Sequence, residues 1–114
     1  MFVTLLKSKI HRAAITGSSL DYAGSISIPP SLIRLAGLCE YEKVLVANVA
    51  NGNRFETYVI TGTEGEITLN GAAARLGQAG DKVIIMAWVG MDASEAAGFR
   101  PRLVMVDEGN RAVD

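Results

Sequence analysis

The chain has 114 residues and a formal net charge of −1, with 49% of residues apolar and 20% charged. That length suits a single domain, and that balance belongs to a folded chain rather than a disordered one. Lys and Arg are scattered, so the sequence offers no basic face for nucleic acid or an anionic membrane, and a lone cysteine, Cys39, excludes an intramolecular disulfide.

From the N-terminus, Phe2–Leu6 and Ile10–Thr16 read as strands. Met1 to Ile10 carries Lys7 and Lys9 among short apolar runs and lacks the long apolar core of a signal peptide. Ser25–Ile28 reads as a strand directly after Gly24. Pro30 and Ser31 open a short helix through Leu35. Val44–Val49 and Phe55–Ile60 flank Asn51-Gly52-Asn53, where Asn-Gly predicts a hairpin because both residues tolerate positive φ. Glu66–Leu69 reads as a strand, Gly71–Leu76 as a helix stopped by Gly77 and Gly80, and Val83–Val89 as a strand apolar on both faces. Asp92 caps a helical turn to Ala97, and Leu103–Val106 is the last strand. Such short strands with frequent turns point to a small closed barrel, with the Val83–Val89 strand covered on both sides and Cys39, Met86 and Trp88 in the core. No apolar run approaches a membrane span. The expectation is one soluble, cytoplasmic, mainly β domain over residues 1–114, without nucleic-acid or membrane partners.

A single histidine, His11, and a single cysteine cannot build a zinc site of the usual composition, and no P-loop, dinucleotide fingerprint or G-x-S-x-G elbow is present. Reactivity would have to come from elsewhere. In Tyr22-Ala23-Gly24-Ser25 a serine follows a glycine, so a strained backbone would let its hydroxyl attack the preceding carbonyl; as a lone dipeptide, Gly-Ser is an ordinary turn, and Gly17-Ser18 is a second instance.

The surrounding residues are more specific. Lys9-Ile10-His11-Arg12 followed by Tyr22-Ala23-Gly24-Ser25, then Asn51-Gly52-Asn53-Arg54-Phe55-Glu56-Thr57-Tyr58, Asn70-Gly71-Ala72-Ala73-Ala74 and Gly80-Asp81 resemble, in order and spacing, the motifs of the aspartate 1-decarboxylase family. The resemblance covers about Lys7 to Val106. It implies a six-to-seven-stranded double-psi β-barrel with short helices, assembled as a homotetramer with interfacial active sites. It implies self-cleavage between Gly24 and Ser25 into chains 1–24 and 25–114, and a covalent pyruvoyl group at Ser25, without metal or pyridoxal phosphate. The activity implied is decarboxylation of L-aspartate to β-alanine for pantothenate and coenzyme A, through a Schiff base with the substrate amine.

By the same resemblance, Tyr58 is the proton donor, and Tyr22, His11, Gly24 and Thr57 belong to the cleavage site. Lys9, Arg54, Thr57, Asn70, Gly71, Ala72 and Ala73 bind substrate. Taken singly, Lys9 and Arg54 read as surface cations, Tyr58 as a strand tyrosine, and Asn70 as the cap of a turn. Strand alternation puts Arg54 and Tyr58 on one face and Thr57 on the other, so a bulge or a site shared between subunits is expected. The chain departs from the family pattern in a short Gly62–Asn70 segment and at Ser8 and Ala47. Two other readings remain: a non-catalytic β-barrel used as an interaction module, and a precursor whose maturation needs a partner protein.

Overall fold

The computed structural model describes residues 1–21 and 23–113, and among them the protein is mainly β. The strands are β1 (Phe2–Ala14), β2 (Gly17–Ser19), β3 (Ser25–Ile28), β4 (Lys43–Asn48), β5 (Arg54–Thr61), β6 (Thr68–Asn70), β7 (Lys82–Asp92), β8 (Arg102–Val106) and β9 (Ala112–Val113). Two short helices, α1 (Pro30–Ala36) and α2 (Ala93–Ala96), and one 3₁₀ turn, Gly71–Arg75, complete the fold. No described helix is long and apolar enough to cross a membrane.

All nine strands join one mixed sheet in the order β2-β6-β3-β5-β4-β7-β1-β8-β9. β1 pairs with β8, β2 with β6, and β3 with β5 in parallel; the remaining pairs are antiparallel. Period-2 alternation sends Ile10, Ile26, Val46, Val59, Leu69, Val83 and Ile85 to one side, where with Leu32 of α1 they form a fully buried core. Burying such side chains stabilises by about 1.5–3 kcal/mol each relative to leaving them exposed.

Several expectations change. The two N-terminal strands are one, because the polar Lys7-Ser8-Lys9 segment continues the ladder. Ser8 is buried there, and Lys7 Nζ donates to Glu42 at 2.8 Å. β1 is irregular instead at shifts between Leu6 and Ser8 and between Ile10 and Ala13, with Arg12 at φ 61°. The hairpin at Asn51-Gly52 forms, but only Gly52 takes positive φ, 78°. The turn is longer than two residues: the Asn48 N–H donates to the Asn53 carbonyl and Gly52 N–H to the Asn48 carbonyl. The helix expected over Gly71–Leu76 is a 3₁₀ turn, Gly71–Arg75. β2 and β9 are too short to leave a periodic signal. Cys39 and Trp88 are exposed and Met86 is half-buried, so the three are not core. Trp88 and Met86 alternate with Val83, Ile85 and Ala87 and therefore stand on the opposite side of β7, which stays partly open.

Candidate functional site

Ser25 opens β3 and is buried, on the side of the sheet away from the core. Its antiparallel partner on β6 is Asn70, and its parallel neighbour β5 pairs Ile26 with Val59 and Ser27 with Ile60. That register places Ser25 level with Tyr58. Asn70 Nδ2 donates to Ser25 Oγ at 2.9 Å and to Ser27 Oγ at 3.1 Å. Ser25 Oγ in turn donates to the Ala23 carbonyl at 3.4 Å.

Asn70 occupies the N-cap position of the 3₁₀ turn, where an asparagine side chain ordinarily accepts from the turn's backbone N–H groups. Here it makes no capping bond, and its carboxamide turns to the two serines. The following Gly71 is buried with φ 64°, a conformation that suits glycine and carries the chain sharply from β6 into the turn.

Two clefts flank the Gly24–Ser25 peptide. One, of about 430 Å³, is lined by Ala23, Ser25, Ser27, Tyr58, Ile60, Gly62, Thr63, Glu66, Thr68 and Asn70. The other, of about 300 Å³, is lined by Gly24, Phe55, Glu56, Thr57, Tyr58, Ala72, Ala73 and Leu76. Tyr58 borders both. Six residues of the serine cleft bring a hydroxyl or carboxamide group into a largely apolar lining; Glu66 adds a carboxylate, and no cation lines it. Its far wall, the 62–66 loop, is anchored from behind. Glu64 accepts from the Ser31 hydroxyl at 2.6 Å and the Ser31 N–H at 2.9 Å, and Asn110 Nδ2 donates to the Gly65 carbonyl at 3.1 Å. The bond from the Ser31 side chain holds the Glu64 carboxyl below its ordinary value of 4.5.

Of the residues singled out from sequence, the structure brings together Ser25, Tyr58 and Asn70 in one cleft and Gly24, Thr57, Tyr58, Ala72 and Ala73 in the other. Thr57 borders the same cleft as Gly24, and the β4–β5 register runs unbroken from Lys43–Tyr58 to Ala47–Arg54. Gly24 is not in the left-handed region, and a Cβ there would meet only the Asn70 carbonyl at 3.9 Å. Tyr22 lies outside the described residues.

Lys9, His11 and Arg54 line neither cleft. Lys9, Met86, Leu45 and Glu56 form one cross-sheet row, which puts Lys9 three strands, about 14 Å, from β5. Arg54 stands four residues, about 13 Å, from Tyr58 along β5. Both cations nevertheless lie on the Ser25 side of the sheet, and neither has an ion pair among the described residues. His11 sits opposite Met105 with a buried Nδ1 that has no hydrogen-bond partner among the described residues. Sequence reading missed Ser27, Gly62, Thr63, Glu66 and Thr68. Alternation along β3 and into β6 carries the signal, since Ser27 shares a face with Ser25, and Thr68 and Glu66 share one with Asn70.

Fold and site together define a mainly β protein with a cleft bordered by a buried serine and its asparagine partner. The chain belongs to the aspartate decarboxylase family, whose sequence profile matches residues 1–113. It is 58% identical over 113 residues to the aspartate 1-decarboxylase of Campylobacter jejuni subsp. jejuni serotype O:6, covering 98% of this chain and 90% of that protein. Over 115 residues it is 54% identical to the aspartate 1-decarboxylase of Caldicellulosiruptor bescii, covering 99% and 90% of the two chains. Over 116 residues it is 56% identical to that of Pelotomaculum thermopropionicum, covering 100% and 88%.

Proposed function

We propose that the protein is a carboxy-lyase that removes the α-carboxylate of L-aspartate, giving β-alanine and carbon dioxide, and that its reactive group is a pyruvoyl made from its own Ser25. Beside family membership, one observation carries the reading. Ser25 follows Gly24 between two clefts, with its Oγ held by Asn70 at 2.9 Å and Tyr58 bordering both sides.

In the self-processing step, Ser25 Oγ bonds to the Gly24 carbonyl carbon as the Gly24–Ser25 C–N bond breaks. The hydroxyl proton passes to the released amine, leaving an ester. Loss of the Ser25 α-proton expels the Gly24 carboxylate; water then replaces the nitrogen, which leaves as ammonia. Thr57, beside Gly24, assists ester formation, and Tyr22 and His11 belong to the same step by family resemblance. The residues fit a small carbonyl group at position 25, since Asn70 offers an amide N–H where the Ser25 oxygen stands.

Once formed, that group supplies a carbonyl that takes the substrate amine and draws in the electron pair left by the departing carboxylate. The chain's own residues do the rest. Tyr58, whose hydroxyl needs only hydrogen-bond reach, returns a proton to the α-carbon. Lys9 and Arg54 hold the dicarboxylate, and the stronger clamp belongs on the carboxylate that stays, because firm pairing of the one that leaves opposes its loss. Asn70, Gly71, Ala72 and Ala73 border the substrate, with small side chains that leave it room.

The separation of Lys9 and Arg54 from the clefts supports a site completed by a second copy. The face that carries these cations also exposes Trp88 at 43%, Leu103 at 57% and Met105 at 47%, apolar surface that association would cover. The reading is therefore a homotetramer of double-psi β-barrels with interfacial active sites, acting in the cytoplasm and supplying β-alanine for pantothenate and coenzyme A.

Intact mass under denaturing conditions tests the reading. The expected result is two chains split after Gly24, the larger lighter by one ammonia than a serine-started fragment. A split with serine retained, or a chain that stays intact even after incubation with cell extract, overturns it. Cleavage only in extract adds a maturation factor.

A further inference from the structure

We propose that Ser27 is a positioning residue for the self-processing of Ser25, acting through the Asn70 carboxamide; the inference rests on the reading of Gly24–Ser25 as the processing site. A carboxamide nitrogen has two hydrogens, and Asn70 Nδ2 directs one to Ser25 Oγ at 2.9 Å and the other to Ser27 Oγ at 3.1 Å. The Ser25 hydroxyl already donates its only proton to the Ala23 carbonyl. With its proton directed there, at 3.4 Å, Ser25 Oγ stands as an acceptor towards Asn70.

Ser27 holds the second hydrogen and so prevents the amide from rotating away. With both hydrogens engaged, the Nδ2–Oγ contact eases loss of the Ser25 hydroxyl proton, which leaves for the departing nitrogen as Oγ bonds to the Gly24 carbonyl carbon. It also keeps the serine in one of its three staggered rotamers.

The position of Ser27 is itself set by backbone packing. Gly62 N–H donates to the Ile28 carbonyl at 2.9 Å, and a Cβ at position 62 would stand only 3.0 Å from the Ser27 Cβ. The chain just after β5 therefore runs close against Ser27, at a separation that only glycine at position 62 allows. Asn70 is also buried and makes no capping bond, so the two serines are the only hydrogen-bond partners of its Nδ2 among the described residues.

The test follows cleavage of the full-length chain made in a translation mixture reconstituted from purified components, supplemented with cell extract if wild type needs it, with timed samples read by denaturing intact mass. Ser27→Ala is expected to slow cleavage roughly three- to tenfold, the size of one net hydrogen bond. Asn70→Ala is expected to slow it further, and the double variant should be no slower than Asn70→Ala alone. That non-additivity is what a merely structural role would not produce. Equal rates for Ser27→Ala and wild type, or independent effects of the two substitutions, overturn the role of Ser27 while leaving the processing site standing. A wild-type chain that never cleaves, with or without extract, overturns the processing reading and the role of Ser27 with it.

Discussion

Replacing Tyr58 with Phe removes one oxygen and little else, which makes it the sharpest test of the proton-donor assignment. The ring packs 6.4 Å from the Tyr41 ring at an interplanar angle of 50°, and the phenyl ring keeps that contact. Among the described residues the Tyr58 hydroxyl has no hydrogen-bond partner, so its loss strands no buried group. Stability should therefore change by no more than about 0.5 kcal/mol. A positioned acid contributes about 10²- to 10⁴-fold, equivalent to about 3–5 kcal/mol in the barrier, and that loss should fall on kcat with KM little changed. Carbon dioxide release from aspartate would be measured on protein shown by mass to be fully cleaved, alongside its thermal midpoint. A kcat within twofold of wild type in such protein would refute the assignment. A variant that fails to cleave would move Tyr58 from turnover to maturation, an outcome its place on both clefts makes worth separating.

Ser25→Ala should abolish both cleavage and decarboxylation, seen as a single chain of full mass with no carbon dioxide released. Arg54→Ala should leave cleavage complete and raise KM for aspartate about tenfold or more, as loss of a charge-assisted carboxylate contact does; unchanged kinetics would remove Arg54 from the site. Gly77→Ala should cost about 1–3 kcal/mol in urea unfolding, because its Cβ would stand 2.7 Å from Ile15 Cδ1, 2.9 Å from Leu69 Cδ1 and 3.0 Å from Asn48 Nδ2. Glu64→Gln should show pH-dependent destabilisation. Bonding to Ser31 lowers the Glu64 pKa in the folded state, so the ionised carboxylate stabilises the fold above its ordinary value of 4.5 and loses that contribution as pH falls through the folded value. The stability gap between variant and wild type, followed by thermal unfolding, should therefore narrow below about pH 4; a gap constant with pH would refute the assignment.

What the sequence revealed, and what it hid, follows from where each side chain points. Apolar alternation located the long strands because Val44 and Val46, or Val83 and Ile85, face one continuous core. It failed at Lys7-Ser8-Lys9, where a polar run continues β1: Ser8 is small enough to be buried, and Lys7 turns to Glu42. It also misplaced Trp88 and Met86, because a strand apolar on both faces looks alike whether its second face meets a helix, another subunit or solvent. Ser25, Tyr58, Asn70 and Thr57 could be named because ordered motifs carried them, yet the motifs did not say which of them meet within one chain. Register supplies that answer. Pairing Ser25 with Asn70 across β3 and β6, and bringing Tyr58 level through β5, gathers one cleft from residues far apart in sequence. The same register holds Lys9 three strands from β5 and Arg54 four residues from Tyr58, so that neither lines the clefts. The two carboxylates of aspartate would call for cations that the Ser25 cleft lacks. On the proposed reading, the apolar face carrying those cations is the surface on which a second copy would supply them, which would tie the chemistry of a dicarboxylate substrate to the assembly of the protein.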